Sequence, residues 1–380
     1  MKDLITFNKP FVTSLDEDFF NKLNRGLTSL SGDGFYTKKV NKWLENYTKS
    51  NKALLTHSCT AALEMSAILM NIKAGDEVIM PSYTFVSTAN AIVLRGGIPR
   101  FVDIREDTLN IDENYIENAI NKKTKAIIPV HYAGVSAEMD TIKKIAKENR
   151  LFVAEDAAQG LMGSYKGKTL GAIGDLGSFS FHETKNIISG EGGALIVNNE
   201  EFIERSEIIR EKGTNRSIYI KGDIDKYTWC DIGSSYLPAE IVSAFLLNQL
   251  NLSERITEER LSIWNNYHSM LLSLEKKGLI KRPRIPNECK HNGHIYFILV
   301  EKTKRDKIIQ KLFENNIQVT SHYEPLHSSK AGIKYCQISG SMNKTNYCAN
   351  SIIRLPMWIG LTIEKQIYLV DMLEKILKNL

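Results

Sequence analysis

Lys185 stands at the end of an aromatic and small-residue run, Gly177-Ser178-Phe179-Ser180-Phe181-His182-Glu183-Thr184-Lys185-Asn186. The glycine-rich turn Gly190-Glu191-Gly192-Gly193 follows closely. Most lysines keep their ammonium in water. A lysine drawn partly out of water has a lowered pKa and can act as a neutral amine. That state is required to form a Schiff base with an aldehyde cofactor such as pyridoxal phosphate. The plain alternative is a surface lysine after a strand. The assignment therefore needs the other groups that such a cofactor demands.

A cofactor phosphate wants backbone N–H donors, best at a helix N-terminus. His57-Ser58-Cys59-Thr60-Ala61-Ala62 offers one, because an apolar run ends there and a helical pattern begins. Ser58 or Thr60 as an ordinary N-cap is the alternative. The ring nitrogen wants a carboxylate that keeps it protonated, so that the ring draws electrons from the substrate carbon. Asp156 suits, at the end of Leu151-Phe152-Val153-Ala154-Glu155. Glu155 points to the opposite face of such a strand and receives no role. Gln159 is placed to reach the ring's phenolic oxygen. Phe85, in Pro81-Ser82-Tyr83-Thr84-Phe85, is a candidate plate for the ring face, with a core position as its alternative.

The elements that must position these residues are legible as an alternation. Strands are expected at 52–56, 77–80, 99–104, 126–131, 151–155, 177–181 and 194–197. Helical patterns lie at 60–71, 84–95, 113–120 and 139–147. This pattern argues for an α/β fold with a mainly parallel sheet covered on both faces. Ligands of such sheets bind at the carboxyl ends of the strands, where the candidate residues fall. After Pro238 the texture changes. Long helical patterns cover 239–252 and 256–274. Strands are expected at 294–300 and 317–320, and helices at 305–315 and 363–377. A boundary near residue 250 separates a large domain, 1–250, from a smaller C-terminal α/β domain, 251–380.

Composition narrows the classes. A net charge of +5 over 380 residues gives no basic patch dense enough for nucleic acid. No run approaches the roughly 18 apolar residues of a membrane span, and the first ten residues lack the apolar core of a signal peptide. The five cysteines are scattered without a Cys-x-x-Cys pair. Neither a metal site nor a disulfide framework is suggested, and a cytoplasmic setting fits.

Pro81-Ser82-Tyr83-Thr84-Phe85, Glu155-Asp156-Ala157-Ala158-Gln159 and Phe179-Ser180-Phe181-His182-Glu183-Thr184-Lys185 occur in this order. With these motifs the chain resembles the pyridoxal-phosphate sugar aminotransferases of the DegT/DnrJ/EryC/StrS type, over about residues 5 to 375. The resemblance implies the aspartate aminotransferase-like fold type I and pyridoxal 5'-phosphate as cofactor. It implies that Lys185 is the Schiff-base lysine, that Asp156 pairs with the pyridine nitrogen and that Gln159 contacts the ring oxygen. Thr60, Ala61 and Ser180 would hold the phosphate, and Phe85 would stack on the ring. His131, in Pro129-Val130-His131-Tyr132-Ala133-Gly134, and His322, in the loop His322-Tyr323-Glu324-Pro325-Leu326-His327, resemble substrate-side motifs. Many members have Gly-x-Asn-x-Arg where this chain has Gly233-Ser234-Ser235-Tyr236-Leu237. Their asparagine reaches the cofactor phosphate across a homodimer interface, and Ser235 is shorter.

The branch that makes TDP-4-amino-4,6-dideoxygalactose is similar in residues 80–90, 181–186 and 210–216, and shares the Gly233-Ser234-Ser235-Tyr236 variant. It implies a TDP-linked 4-keto-6-deoxy sugar and L-glutamate as substrates. Arg216 is the first candidate for the diphosphate, with a solvated basic face as its alternative. Three rivals stand beside this reading: an aminotransferase on a 3-keto or UDP-linked sugar, a dehydratase, and a non-catalytic sugar-binding relative. The dehydratases commonly have histidine in place of the lysine, and a binding relative would lose the lysine or the aspartate.

Overall fold

Along the first-half strands, successive residues face opposite ways and both faces are apolar. Val78, Met80, Ala126 and Ala154 join one buried cluster, while Ile79, Ile127 and Val153 join another. A strand apolar on both faces needs helices on both sides. Helix Cys59–Leu69 covers the first face and helix Met139–Asn149 the second. The structure, a computed structural model, describes residues 4–13, 17–25 and 29–380.

The main sheet has eight strands, in the order Lys52–Thr56, Gly193–Val197, Leu176–Ser180, Phe152–Asp156, Thr124–Ile127, Glu77–Pro81, Ile98–Val102 and Gln337–Ile338. Gly193–Val197 is antiparallel to both neighbours, and the other pairings are parallel. Leu176–Ser180 and Gly193–Val197 are therefore joined at the same end of the sheet where the parallel strands finish, through the loop 181–192 that carries Lys185. Gly193 is required there. A Cβ on it would stand 2.2 Å from the Cys59 backbone nitrogen. The glycine lets the loop's exit pack against the start of helix Cys59–Leu69.

A second core joins helices Ser253–Met270, Arg305–Glu314 and Ile363–Lys378 to the antiparallel pair Tyr296–Leu299 and Ile352–Leu355. Ile5 packs into it, and its backbone bonds Asn316 and Gln318. The N-terminal strap thus lies along the C-terminal elements. Among the described residues, no helix is long and apolar enough to cross a membrane.

Several expectations are corrected. Ile317–Thr320 forms no strand, only single bridges from Ile317 to Ile5 and from Thr320 to Arg354. Residues 113–120 form a 3-10 turn and one short helical turn, Ile116–Ala119. The strand expected at 126–131 stops at Ile127, because Pro129 has no N–H for the ladder. Helices Glu17–Asn24, Phe35–Thr48, Ile203–Arg210, Arg216–Lys221, Lys330–Tyr335 and Asn343–Ser351 were absent from the sequence pattern.

Glu155, given no role from sequence, is fully buried and accepts N–H groups from Gly171, Ile173 and Gly174 at 2.6–2.9 Å. It closes the loop after residue 170 onto the strand whose next residue is Asp156.

Candidate active site

A cavity of about 680 Å³ opens at the carboxyl ends of the parallel strands. Lys185, Asp156, Gln159, Thr60, Ser180 and Phe85 all line it. Residues from four separate strand ends meet there, together with the C-terminal His322 and Arg354.

Asp156 is 4% exposed. Its Oδ2 accepts from Thr88 Oγ1 at 2.7 Å and its Oδ1 from the Ala158 N–H at 3.1 Å. Thr84 Oγ1 lies 2.8 Å from Thr88 Oγ1 and extends the chain of hydroxyls. Among the described residues, no lysine or arginine lies within ion-pair distance of this carboxylate. A buried carboxylate without a cation is costly, by several kcal/mol in round terms. Such a group suits a protonated ring nitrogen.

Lys185 follows a tight backbone bond from its own N–H to His182 O, 2.9 Å. Burial lowers its pKa, and the nearby Cys59 and Asp156 partly oppose that shift. Arg354 lowers it further. The sum favours the amine relative to an ordinary lysine, which is the nucleophilic and proton-accepting form. The next residue, Asn186, anchors this loop. Its Nδ2 donates to Asn292 O at 2.9 Å, so its Oδ1 faces His294 Nδ1 at 2.8 Å and accepts. His294 must then carry its proton on Nδ1. Burial, helped by the charges of Lys185 and Arg260, holds its imidazole well below the ordinary range.

The phosphate end is only partly as expected. Ser58 caps helix Cys59–Leu69 by accepting from the Ala61 N–H at 3.1 Å. That N–H is therefore already used, and Ala61 sits buried behind the turn. The N–H groups of Cys59 and Thr60, like the first ones of any helix, have no intrahelical partner. Thr60 Oγ1 lies 2.8 Å from Ser87 Oγ, and Ser180 lines the same cavity. The donor set fits a phosphate group.

Phe85 is 57% exposed although it lines the cavity. Its ring stands on the cavity wall rather than in the core. Gln159 Oε1 accepts from the Ala133 N–H at 2.6 Å, which orients the amide. Its Nε2 then faces the cavity and donates to Tyr323 Oη at 3.1 Å. The second N–H of that amide remains for a ring oxygen. His322 lines the cavity beside Tyr323, the two rings stacked at 3.6 Å. Its Nδ1 pairs with Tyr132 Oη at 2.8 Å. Burial, with Arg354 and Lys185 nearby, pushes its imidazole far below the ordinary histidine range. His322 is thus a neutral hydrogen-bonding group.

Three expected residues lie elsewhere. His131 is fully buried, outside the cavity lining. Its Nδ1 accepts from the Ala137 N–H at 3.2 Å, so Nε2 carries the proton toward Glu155 at 2.7 Å. Both ring nitrogens are committed to the fold, and the substrate role is withdrawn. Arg216 starts helix Arg216–Lys221 and pairs with Glu211 at 3.3 Å, away from the cavity of its own chain. Ser235 is exposed and bridged to Glu211, also outside that cavity. Conversely, Thr88, His294 and Arg354 line or support the site without having been singled out. Thr88 lies within residues 80–90, three residues after Phe85, and that spacing was the available signal.

The DegT/DnrJ/EryC1/StrS aminotransferase family pattern matches residues 13–374. The chain belongs to this family. It is a pyridoxal-phosphate-dependent sugar aminotransferase with the type I fold of that cofactor class. An uncharacterised protein of Methanocaldococcus jannaschii is 37% identical over 98% of both chains. The spore coat polysaccharide biosynthesis protein SpsC of Bacillus subtilis is 33% identical over 78% of this chain and 79% of its own. The putative sugar aminotransferase Spr1654 of Streptococcus pneumoniae, solved in its PMP-form, superposes with a TM-score of 0.90. It is 26% identical, and 99% of each chain is covered.

Proposed function

We propose that this aminotransferase moves the amino group of L-glutamate to C4 of TDP-4-keto-6-deoxyglucose, giving TDP-4-amino-4,6-dideoxygalactose. One observation carries the chemistry: a desolvated lysine and a buried carboxylate without a cation line the same cavity. The choice of sugar rests on the motifs at 80–90, 181–186, 210–216 and 233–236.

Bound pyridoxal phosphate supplies an aldehyde carbon that carries the amino group and a ring that accepts the electron pair of the deprotonated carbon. Asp156, held by Thr88 and Ala158, would keep the proton on the ring nitrogen. The helix N-terminus at Cys59 and Thr60, with Ser180, would hold the phosphate, and Phe85 would cover one ring face. Gln159 Nε2 would donate its second N–H to the ring oxygen. Lys185 Nζ, as the free amine, takes the α-proton of glutamate. In the return half-reaction it delivers a proton to C4 of the sugar. It acts from one side, so the grip on the nucleotide decides which face of C4 receives it.

The expected product has an axial amine. Purified enzyme with glutamate and a panel of nucleotide keto-sugars is analysed by mass spectrometry, and the product by proton NMR. A small coupling between H3 and H4 supports the galactose configuration. A large one gives the glucose epimer and removes the branch assignment, and amination of only a 3-keto or UDP-linked sugar moves the substrate.

The active species is expected to be a homodimer. Tyr219, Ile220, Tyr227, Trp229 and Ile232 are all exposed in the segment just before Ser235, Trp229 at 81%. Isologous pairing would cover them and bring Ser235 toward the other subunit's cofactor phosphate. Sedimentation of holoenzyme at assay concentration checks this, and a fully active monomer refutes it.

A further inference from the structure

His294 lines the cavity, and the chemistry above gives its ring no part. It stands two residues before strand Tyr296–Leu299. Its backbone is held, because its N–H donates to Asn292 Oδ1 at 3.1 Å. Asn292 in turn donates through Nδ2 to the carbonyls of Gln159 and Leu161, both at 2.7 Å. The ring is fixed as well. Asn186 Oδ1 accepts the proton on its Nδ1 at 2.8 Å. The other end of that amide donates to a carbonyl, Asn292 O, so the tautomer follows. Nε2 is left as a bare acceptor. Among the described residues, no protein donor takes it. Asn186 is also the residue after Lys185, so one hydrogen bond ties this ring to the loop that carries the lysine.

Two cavities bring His294 and Lys185 together. Both residues line the large one. Both also line a second, of about 10 Å³, with Ser180, Asn186 and Asn292. That is room for about one water, and its walls carry the polar groups a buried water needs. The charged and titratable groups that act on the imidazole are Lys185 first, then Arg260, Arg354 and His322. Charges act more strongly the nearer they lie. Arg260 is turned to the carbonyls of Gly293 and His294 at 3.1 and 2.8 Å. The amine of Lys185 has N–H groups to give, and among the described residues no protein acceptor holds them.

An amine that removes a proton must aim its lone pair at the carbon that loses it. The four-carbon stem of a lysine does not aim it. An acceptor behind the amine takes one N–H and turns the lone pair forward. Once the proton has been taken, the same acceptor holds an N–H of the ammonium. His294 does not strip that proton for itself, because burial and its cationic neighbours keep the imidazole neutral. The proton stays on Lys185 for delivery.

We propose that His294 is a positioning residue for Lys185: through one water in the small cavity, its Nε2 accepts an N–H of the amine and turns the lone pair toward the substrate carbon. The inference rests on the acid–base part given to Lys185 in the proposed function and names the group that aims it.

Two variants separate aiming from scaffolding. His294→Asn keeps a donor where Nδ1 stands, and with it the bond to Asn186, but has no acceptor at the place of Nε2. His294→Gln sets its amide oxygen near that place. The first readout uses the apo-protein. Acetic anhydride labels the free amine, and peptide mass spectrometry follows the labelling of Lys185 across pH. An acceptor favours the ammonium, so its loss lowers the lysine's pKa. The labelling curve of His294→Asn should move to lower pH by about one on the pH scale, while His294→Gln should stay close to wild type. Cys59, Asp156 and Arg354 also act on Lys185 and are the same in all three proteins. The second readout is the absorbance of holoenzyme in single turnovers with L-glutamate and its α-deuterated form. His294→Asn should slow the step at saturation by about ten- to a hundredfold, with a larger isotope effect. The glutamate concentration for half-maximal rate should change by less than about threefold. His294→Gln should recover part of the rate.

A scaffolding role predicts the opposite order, with Asn near wild type and Gln damaged, and that order would overturn the proposal. So would a labelling curve of His294→Asn that superposes on wild type, or equal losses in both variants with lowered melting temperatures. If wild-type holoenzyme does not react with glutamate, the donor assignment fails, and the labelling of the apo-protein still decides this inference.

Discussion

Lys185→Ala is expected to lower transamination by about 10⁴-fold or more, because one amine is both the tether of the cofactor and the group that moves the proton. That is a rise of roughly 5.5 kcal/mol in the barrier. The variant should still bind pyridoxal phosphate noncovalently, since Asp156, Thr60, Ser180 and Gln159 are untouched. The apo-protein should melt no lower than wild type, because burial disfavours the charged amine that the substitution removes. Lys185→Arg should be equally inactive: a guanidinium stays protonated and cannot accept the α-proton. Small primary amines added to the alanine variant should restore part of the rate. Single-turnover absorbance, with cofactor content measured after gel filtration, checks each point. A rate within tenfold of wild type would remove Lys185 from the mechanism.

Asp156 was legible in the sequence because it ends a strand whose apolar run can be read directly. Lys185 was legible because it follows the next such strand, Leu176–Ser180, in the loop 181–192, while Ser180 was placed by the family resemblance. Strand ends are also where a parallel sheet places its ligands. Other parts of the site were not legible, for physical reasons. Phe7 and Arg354 come from opposite ends of the chain and meet only because the strap packs on the second core. Helix Phe35–Thr48 escaped because its inward face is partly polar. Thr37 there bonds the buried Glu240, and Asn41 receives the Leu55 N–H at 2.8 Å. Glu240 also takes the N–H groups of Gly34 and Tyr36 at 3.1 and 2.8 Å, capping that helix from a residue about 200 positions away. No local pattern reports such a cap. His131 misled for a related reason. A histidine motif at a strand end resembles a substrate contact, but here Glu155 and Ala137 take both ring nitrogens.

Asp156→Asn is expected to cut turnover by about two to three orders of magnitude while the cofactor stays bound. With the amide oxygen accepting from the Ala158 N–H and its NH2 donating to Thr88 Oγ1, whose own proton turns to Thr84 Oγ1, the side chain's placement survives. It cannot hold a proton on the ring nitrogen, and the ring then accepts the electron pair poorly. An indirect effect through Lys185 can be separated by its sign. Asp156 raises the lysine's pKa, so removing its charge lowers that pKa further. The amine fraction rises at any given pH, and the acid limb of the rate profile moves to lower pH. A loss caused by a protonated lysine would instead move that limb upward and disappear in alkaline buffer. Asp156→Glu keeps the charge and should retain more activity than the asparagine variant, with a penalty for the extra methylene. Rate profiles across pH for the three proteins, with cofactor content held equal, decide the matter. An asparagine variant as fast as wild type would make Asp156 a structural residue.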